Sequence, residues 1–293
     1  MKLTNPSELK NILGAYGFSF SKSLGQNFLI DENVLNKIIE GSGINSEWGA
    51  LEIGPGAGTL TRALAQNSKK AVAVEIDKRL MPLLDYTLGE FKNTKVINED
   101  VMAVDLDALI QEEFGDMEVA VCANLPYYIT TPIIMKVLED CHRVRSMTVM
   151  IQKEVAERMV AKPGGKDYGA LSVAVQFYTE PKIVCQADPH CFMPQPKVAS
   201  TVISLKVLDK PAVDVKNKKL FFEIVKSAFG QRRKTLLNAL SKSPYINVEK
   251  EIITGAIENA GLKADIRGEK LSLSDFAKVC DYIDERNKNN DNK

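Results

Sequence analysis

Apolar and polar residues follow two different periods along the chain. Short apolar runs at 50–53, 71–74, 95–97, 119–123 and 147–151 have the length of buried strands. Between and after them, 59–66, 78–86, 106–113, 132–139 and 153–159 carry apolar residues at helical spacing. Two helices precede the first strand. One covers 7–16 and stops at Gly17. The other covers 33–40, has Val34, Leu35, Ile38 and Ile39 on one face, and has Asp31 in place to cap it. Strand and helix alternating through short connections predict an α/β fold with a parallel sheet and helices on both faces. Beyond a Gly-rich loop at 162–167, a helix is expected at 171–177. The runs 183–185 and 202–205 predict a hairpin-like pair that closes the sheet, and the Pro-rich stretch 191–196 between them reads as a loop.

The pattern changes at Asp209-Lys210-Pro211. From there only helical faces follow: Leu220, Phe221, Ile224, Val225 and Ala228, then Leu236, Leu237 and Leu240, then Ile252, Ile253 and Ile257, then Phe276, Val279 and Tyr282. The expected organisation is an α/β domain over 1–208, a small all-α domain over 209–285, and a disordered polar tail over 286–293. The stretch 21–31 fits neither period. It is too mixed for a core strand and too apolar for a linker.

Composition adds constraints. The chain has 293 residues, 45% hydrophobic and 26% charged, with a formal net charge of +0. That argues against a uniformly basic nucleic-acid binder, but a zero sum hides local patches. Residues 1–17 lack an apolar signal core, and no apolar run approaches bilayer length, so a cytoplasmic protein without membrane contact is expected. The five cysteines include no Cys-x-x-Cys pair and the two histidines have no partner at ligand spacing, so no metal site is expected.

The candidate chemistry sits where strands end. Gly54-Pro55-Gly56-Ala57-Gly58 joins the first strand to its helix, the position at which such folds bind a nucleoside. The spacing is not that of a dinucleotide fingerprint, because Thr59 stands at the third fingerprint glycine. It looks like the cofactor loop of S-adenosylmethionine-dependent methyltransferases. Glu75 closes the second strand, where an acid can accept both ribose hydroxyls. Asp100 closes the third and can accept from an adenine amine. Asn124 closes the fourth and opens the tetrad Asn124-Leu125-Pro126-Tyr127. The Asn124 side-chain carbonyl and the Leu125 main-chain carbonyl can pull on the two hydrogens of a planar amine. Pro126 stiffens the turn, and Tyr127 offers a stacking face. The tetrad resembles the Asn/Asp-Pro-Pro-Tyr motif of methyltransferases that modify amino groups conjugated to a planar system.

Two further stretches narrow the substrate. Gln26-Asn27-Phe28-Leu29, with Lys22 before it, and Phe229 to Leu236, which includes Gln231-Arg232-Arg233-Lys234-Thr235, join the Gly loop and the tetrad. Together they resemble the ribosomal RNA adenine N6,N6-dimethyltransferases, in the bacterial small-subunit form, over about residues 16–276. The resemblance implies a Rossmann-like S-adenosylmethionine-dependent methyltransferase sheet with a small C-terminal helical domain. It implies that Asn27, Leu29, Gly54, Gly56, Glu75, Asp100 and Asn124 hold S-adenosylmethionine without a metal. Asn124 and Leu125 would grip the target amine, with Tyr127 and Phe192 as stacking faces. The implied substrate is a pair of adjacent adenosines in a hairpin loop near the 3′ end of small-subunit RNA, within a 30S or pre-30S particle, and the enzyme is expected to be a monomer. Between Glu223 and Glu249 the chain has Lys226, Arg232, Arg233, Lys234 and Lys242 and no acid. Arg232, Arg233 and Lys234 are the expected phosphate contacts. The alternatives are the related large-subunit dimethyltransferase of macrolide resistance, which the Gln231–Thr235 segment disfavours, and a non-catalytic assembly factor, which an intact site disfavours.

Overall fold

The computed structural model describes the backbone of residues 1–21 and 24–291 and the side chains of 1–21 and 24–288; Lys22 lies outside the described residues. The chain opens on α1 (Pro6–Ala15), where the Asn5 side chain accepts from the Ser7 and Glu8 amides. β1 (Phe28–Leu29) leads into α2 (Glu32–Ser42), and Asp31 caps that helix by accepting from the Val34 amide. Strands and helices then alternate: β2 (Gly49–Ile53), α3 (Thr59–Asn67), β3 (Lys70–Val74), α4 (Met81–Leu88), β4 (Thr94–Ile97), α5 (Leu106–Phe114), β5 (Val119–Asn124), α6 (Thr130–Asp140), β6 (Val144–Gln152) and α7 (Lys153–Val160). α8 (Ala170–Tyr178), β7 (Thr179–Ala187), β8 (Phe192–Met193) and β9 (Ser200–Val207) follow. The chain ends with α9 (Lys218–Gly230), α10 (Leu236–Ser241), α11 (Lys250–Asn259) and α12 (Leu273–Asp291).

Seven strands form one sheet in the order β4-β3-β2-β5-β6-β9-β7. β2 to β6 pair in parallel, while β9 pairs antiparallel with β6. The sheet is therefore mixed, because β9 returns between β6 and β7 rather than crossing over a helix. The central strands read as unbroken apolar runs because Leu51, Val72, Val121 and Val149 are fully buried, as sheet residues covered on both faces are. From β2 the chain winds outward through β3 and β4, then returns to β5 on the other side of β2. Such a reversal leaves a crevice beyond the carboxyl ends of the strands.

The stretch read as a loop at 191–196 contains β8, which pairs with β1: Phe28 faces Met193 and Leu29 faces Phe192. Two residues on each side suffice for this small ladder. A strand so short has no period to detect.

The chain divides into two compact units, Met1–Ala156 with Glu180–Val207, and Glu157–Thr179 with Leu208–Lys293. The second unit thus includes α8 as well as the helices after 208. Tyr168, Val173 and Phe177 belong to its core, and the Phe177 ring lies 5.1 Å from those of Phe221 and Phe222. Its final helix runs to Asp291, where the polar composition predicts a disordered tail from 286. A Lys288–Asp284 pair at 2.5 Å spans one turn of that helical end.

Candidate active site

The Gly loop, two strand-end acids and the tetrad converge on one cavity of about 360 Å³ in the first unit. Gly54, Gly56 and Gly58 have φ of +71°, +58° and +89°, a region glycine enters without a Cβ penalty. Gly56 is also tight: a Cβ there would sit 2.8 Å from the Phe28 ring. Its amide donates to Glu75 Oε2 at 3.2 Å, which ties the loop after β2 to the acid after β3.

Glu75 is 5% exposed, and its Oε1 accepts from the Asp77 amide at 2.8 Å. Burial raises its pKa above the usual carboxylate range, and the Asp77 and Gly56 amides oppose that rise. The Glu75 carbonyl accepts from Asn98 Nδ2 at 2.7 Å and from the Glu99 amide at 3.1 Å. These bonds bring the segment after β4, with Asp100, to the same cavity. Asp100 is exposed, and its Oδ1 accepts from the Met102 amide at 2.9 Å.

In the tetrad, Asn124 Nδ2 donates to the Asn27 carbonyl at 2.7 Å. That bond uses the amino end of the amide and leaves Oδ1 as the acceptor. The Leu125 amide donates to the Met150 carbonyl at 3.1 Å, which fixes the tetrad to β6. The Ile129 amide and the Thr130 hydroxyl both go to the Pro126 carbonyl, so the turn closes without using the Leu125 carbonyl. Tyr127 lines the cavity half-buried, with its hydroxyl 2.6 Å from Ser200 Oγ. Burial pushes its phenol pKa up.

The stretch without a period, 24–29, is a strap across this cavity. Gln26 Nε2 donates to Asp77 Oδ2 at 2.8 Å, Phe28 packs on Gly56, and Leu29 is buried. Arg79, 2.6 Å from Asp77, holds that carboxyl below the usual range.

Asn27, Leu29, Gly54, Gly56, Glu75 and Asp100 therefore line the cavity together with Asn124, Leu125 and Tyr127. Phe192 does not. It is 2% exposed, within a core cluster that includes Leu29, Met150 and Val202. A ring so enclosed offers no face to a base. The expected stacking face is thus packed in the core of this unbound chain, beside its strand partner Leu29, and not in the cavity wall. Arg232, Arg233 and Lys234 lie in the second unit and are all exposed, and Arg232 is hydrogen-bonded to Glu269, Gly165 and Lys166 of its own chain.

Sequence reasoning missed Glu52, Thr59 and Ser200. Glu52 lines the cavity at 1% exposure, accepts from the Thr61 hydroxyl at 2.5 Å, and burial moves its pKa from 4.5 to about 8, with the Glu75 charge adding to the rise. In sequence it was one residue of an apolar strand. The Thr59 hydroxyl also lines the cavity, buried and without a partner among the described residues. An orphaned buried hydroxyl, a buried acid and a glycine cradle fit a polar nucleoside ligand. Among the described residues no group of three His, Cys, Asp or Glu side chains could hold a metal, and no helix is long and apolar enough to cross a membrane.

A sheet with this strand order, an antiparallel closing strand and a cavity at the reversal point defines the fold of S-adenosylmethionine-dependent methyltransferases. The family model for ribosomal RNA adenine dimethylase matches residues 17–285. A ribosomal RNA small subunit methyltransferase A from Alkaliphilus oremlandii is 50% identical over 282 residues, covering 96% of this chain and 98% of its own. One of the same name from Lachnoclostridium phytofermentans is 50% identical over 98% of this chain and 99% of its own. Among solved structures, a dimethyladenosine transferase from Plasmodium falciparum superposes with a TM-score of 0.74 at 27% identity, covering 90% of this chain and 98% of that one. The 23S rRNA methyltransferase ErmE superposes at 0.68 with 24% identity and supports the fold alone. The chain belongs to the ribosomal RNA adenine dimethylase family.

Proposed function

We propose that this enzyme dimethylates N6 of two adjacent adenosines in a hairpin loop near the 3′ end of small-subunit ribosomal RNA. The relatives at 50% identity, which span nearly the whole chain, are small-subunit methyltransferases by name and favour that subunit over the large one. The observation that carries the chemistry is the Asn124 amide, oriented by the Asn27 carbonyl, in the same cavity as Glu75 and the Gly loop.

S-adenosylmethionine, when bound, supplies an already activated methyl group. Glu75 would hold its ribose hydroxyls, the Gly54–Gly58 turn would admit its nucleoside against the main chain, and Asp100 would accept from its adenine amine. Asn124 Oδ1 and the Leu125 carbonyl accept from the two hydrogens of the target amine. That pull favours a pyramidal nitrogen with an available lone pair. Tyr127 stacks on the extruded base, which contributes roughly 1–3 kcal/mol. A loop adenine is already partly unstacked, so extrusion costs less than from a duplex. The methylated amine is a strong acid while protonated, and solvent takes its proton.

Incubation with undermethylated small subunits and labelled S-adenosylmethionine should place label in the RNA, and mass mapping should find N6,N6-dimethyladenosine at two neighbouring positions. Absence of label in RNA would overturn the reading.

A further inference from the structure

The second unit contains a basic loop, Lys162-Pro163-Gly164-Gly165-Lys166, that the site described above does not use. Loops this rich in glycine are costly to order, yet this one is held at three points. Arg232 Nη2 donates to the Lys166 carbonyl at 2.6 Å and to the Gly165 carbonyl at 3.3 Å. The Gly164 amide donates to the Glu269 carbonyl at 2.7 Å. Arg232 Nε donates to Glu269 Oε2 at 2.9 Å, which joins the two other anchors. This contact holds the Glu269 carboxyl below its usual range.

Arg232 thus spends its planar fork on two main-chain carbonyls and a carboxylate. A lysine has the charge but not the fork. The loop it holds presents Lys162 and Lys166 to solvent. The turn Gln231–Lys234, closed by a 2.8 Å main-chain bond, presents Arg233 and Lys234, and the Leu236 amide bond to the Ile266 carbonyl at 2.7 Å brings Arg267 alongside. Three acids flank these cations: Glu269, which pairs with Arg232, and Asp167 and Asp265, so Lys162, Lys166, Arg233, Lys234 and Arg267 leave the group basic.

We propose that Arg232 is a positioning residue rather than a phosphate contact, and that the loop it clips carries Lys162 and Lys166 to the phosphodiester backbone of the RNA. This rests on the RNA reading above. Phosphate contacts of this kind position the substrate without reading its sequence.

The test compares three full-length variants for binding to undermethylated small subunits across a salt series, with amide hydrogen exchange of residues 162–167 measured in parallel. Lys162→Ala with Lys166→Ala should lower the salt slope by about two, roughly one per lost cation, with loop exchange unchanged. Arg232→Lys should speed loop exchange at least about tenfold and weaken binding although the charge is kept. Arg233→Ala should lower the slope by about one and leave the loop protected. An unchanged slope in the double lysine variant removes the loop from the RNA. Wild-type loop protection and affinity in Arg232→Lys make Arg232 a simple point charge. Either result overturns the proposal. Failure of the wild-type protein to label RNA would instead remove the underlying reading, so the two failures are distinct.

Discussion

Glu52 and Glu75 are the two acids whose burial sets measurable behaviour. Glu52 keeps its proton in the folded chain up to about pH 8, whereas the unfolded chain loses it near 4.5. Between those values the folded state holds more protons, so stability falls as pH rises through the window. Glu75 is shifted in the same direction and adds to the trend. Glu52→Gln has no proton to lose, and its urea midpoint should change less than that of wild type between about pH 5 and pH 8. Equal slopes in both proteins would show that Glu52 titrates normally. At Glu75 the expected effect is on the ligand. A hydrogen bond to a charged acceptor is worth roughly 1.5–3 kcal/mol, so Glu75→Gln should weaken S-adenosylmethionine binding about ten- to a hundred-fold by calorimetry. Asn124→Ala should abolish transfer while cofactor affinity falls no more than about tenfold, the worth of one neutral hydrogen bond. An equal collapse of both would make Asn124 chiefly a cofactor residue.

At the scale of elements, the strap and the Gly loop depend on each other. Phe28 packs where Gly56 has no side chain, and the main chain at Gly56 has a positive φ. Gly56→Ala therefore combines a backbone penalty of about 1–2 kcal/mol with a displaced Phe28 ring. Because Asn27 adjoins Phe28 and its carbonyl holds Asn124, the displacement reaches the tetrad. The expected result is a melting temperature lowered by several degrees together with weaker cofactor binding. Intact binding at a lowered melting temperature would uncouple strap and loop. The strap explains why 21–31 matched neither hydrophobic period. Its residues alternate between a two-residue ladder, a ring contact and side-chain hydrogen bonds, and each of these has a partner far away in the chain. The burial of Phe192 escaped the sequence for the same reason, since its strand partner Leu29 and its core neighbours Met150 and Val202 are all distant in the chain.

At the scale of the molecule, the two units are interleaved in sequence. α8 leaves the sheet region to fill the helical core with Val173 and Phe177, and Tyr168 donates to the Leu271 carbonyl at 2.9 Å. A fragment of residues 209–293 lacks these residues and the loop that Arg232 holds. It should show weak near-ultraviolet circular dichroism and no cooperative melting. A cooperative transition matching full-length protein would make 209–293 an independent domain.

The sheet, its helices and the three polar strand ends were legible in the sequence because each depends on local periodicity or on the residue that follows a strand. The Gly loop and the tetrad were legible for the same reason: turn chemistry is written in consecutive residues. Tertiary structure alone decided that Glu52 is a buried acid in the cavity wall, that Asn27 orients Asn124, that Phe192 is core, and that Arg232 bonds to its own chain. Each of these depends on burial or on a partner tens of residues away: 37 separate Arg232 from Glu269 and 97 separate Asn124 from Asn27. Periodicity reports which face of an element is apolar, but not which distant segment comes to cover it.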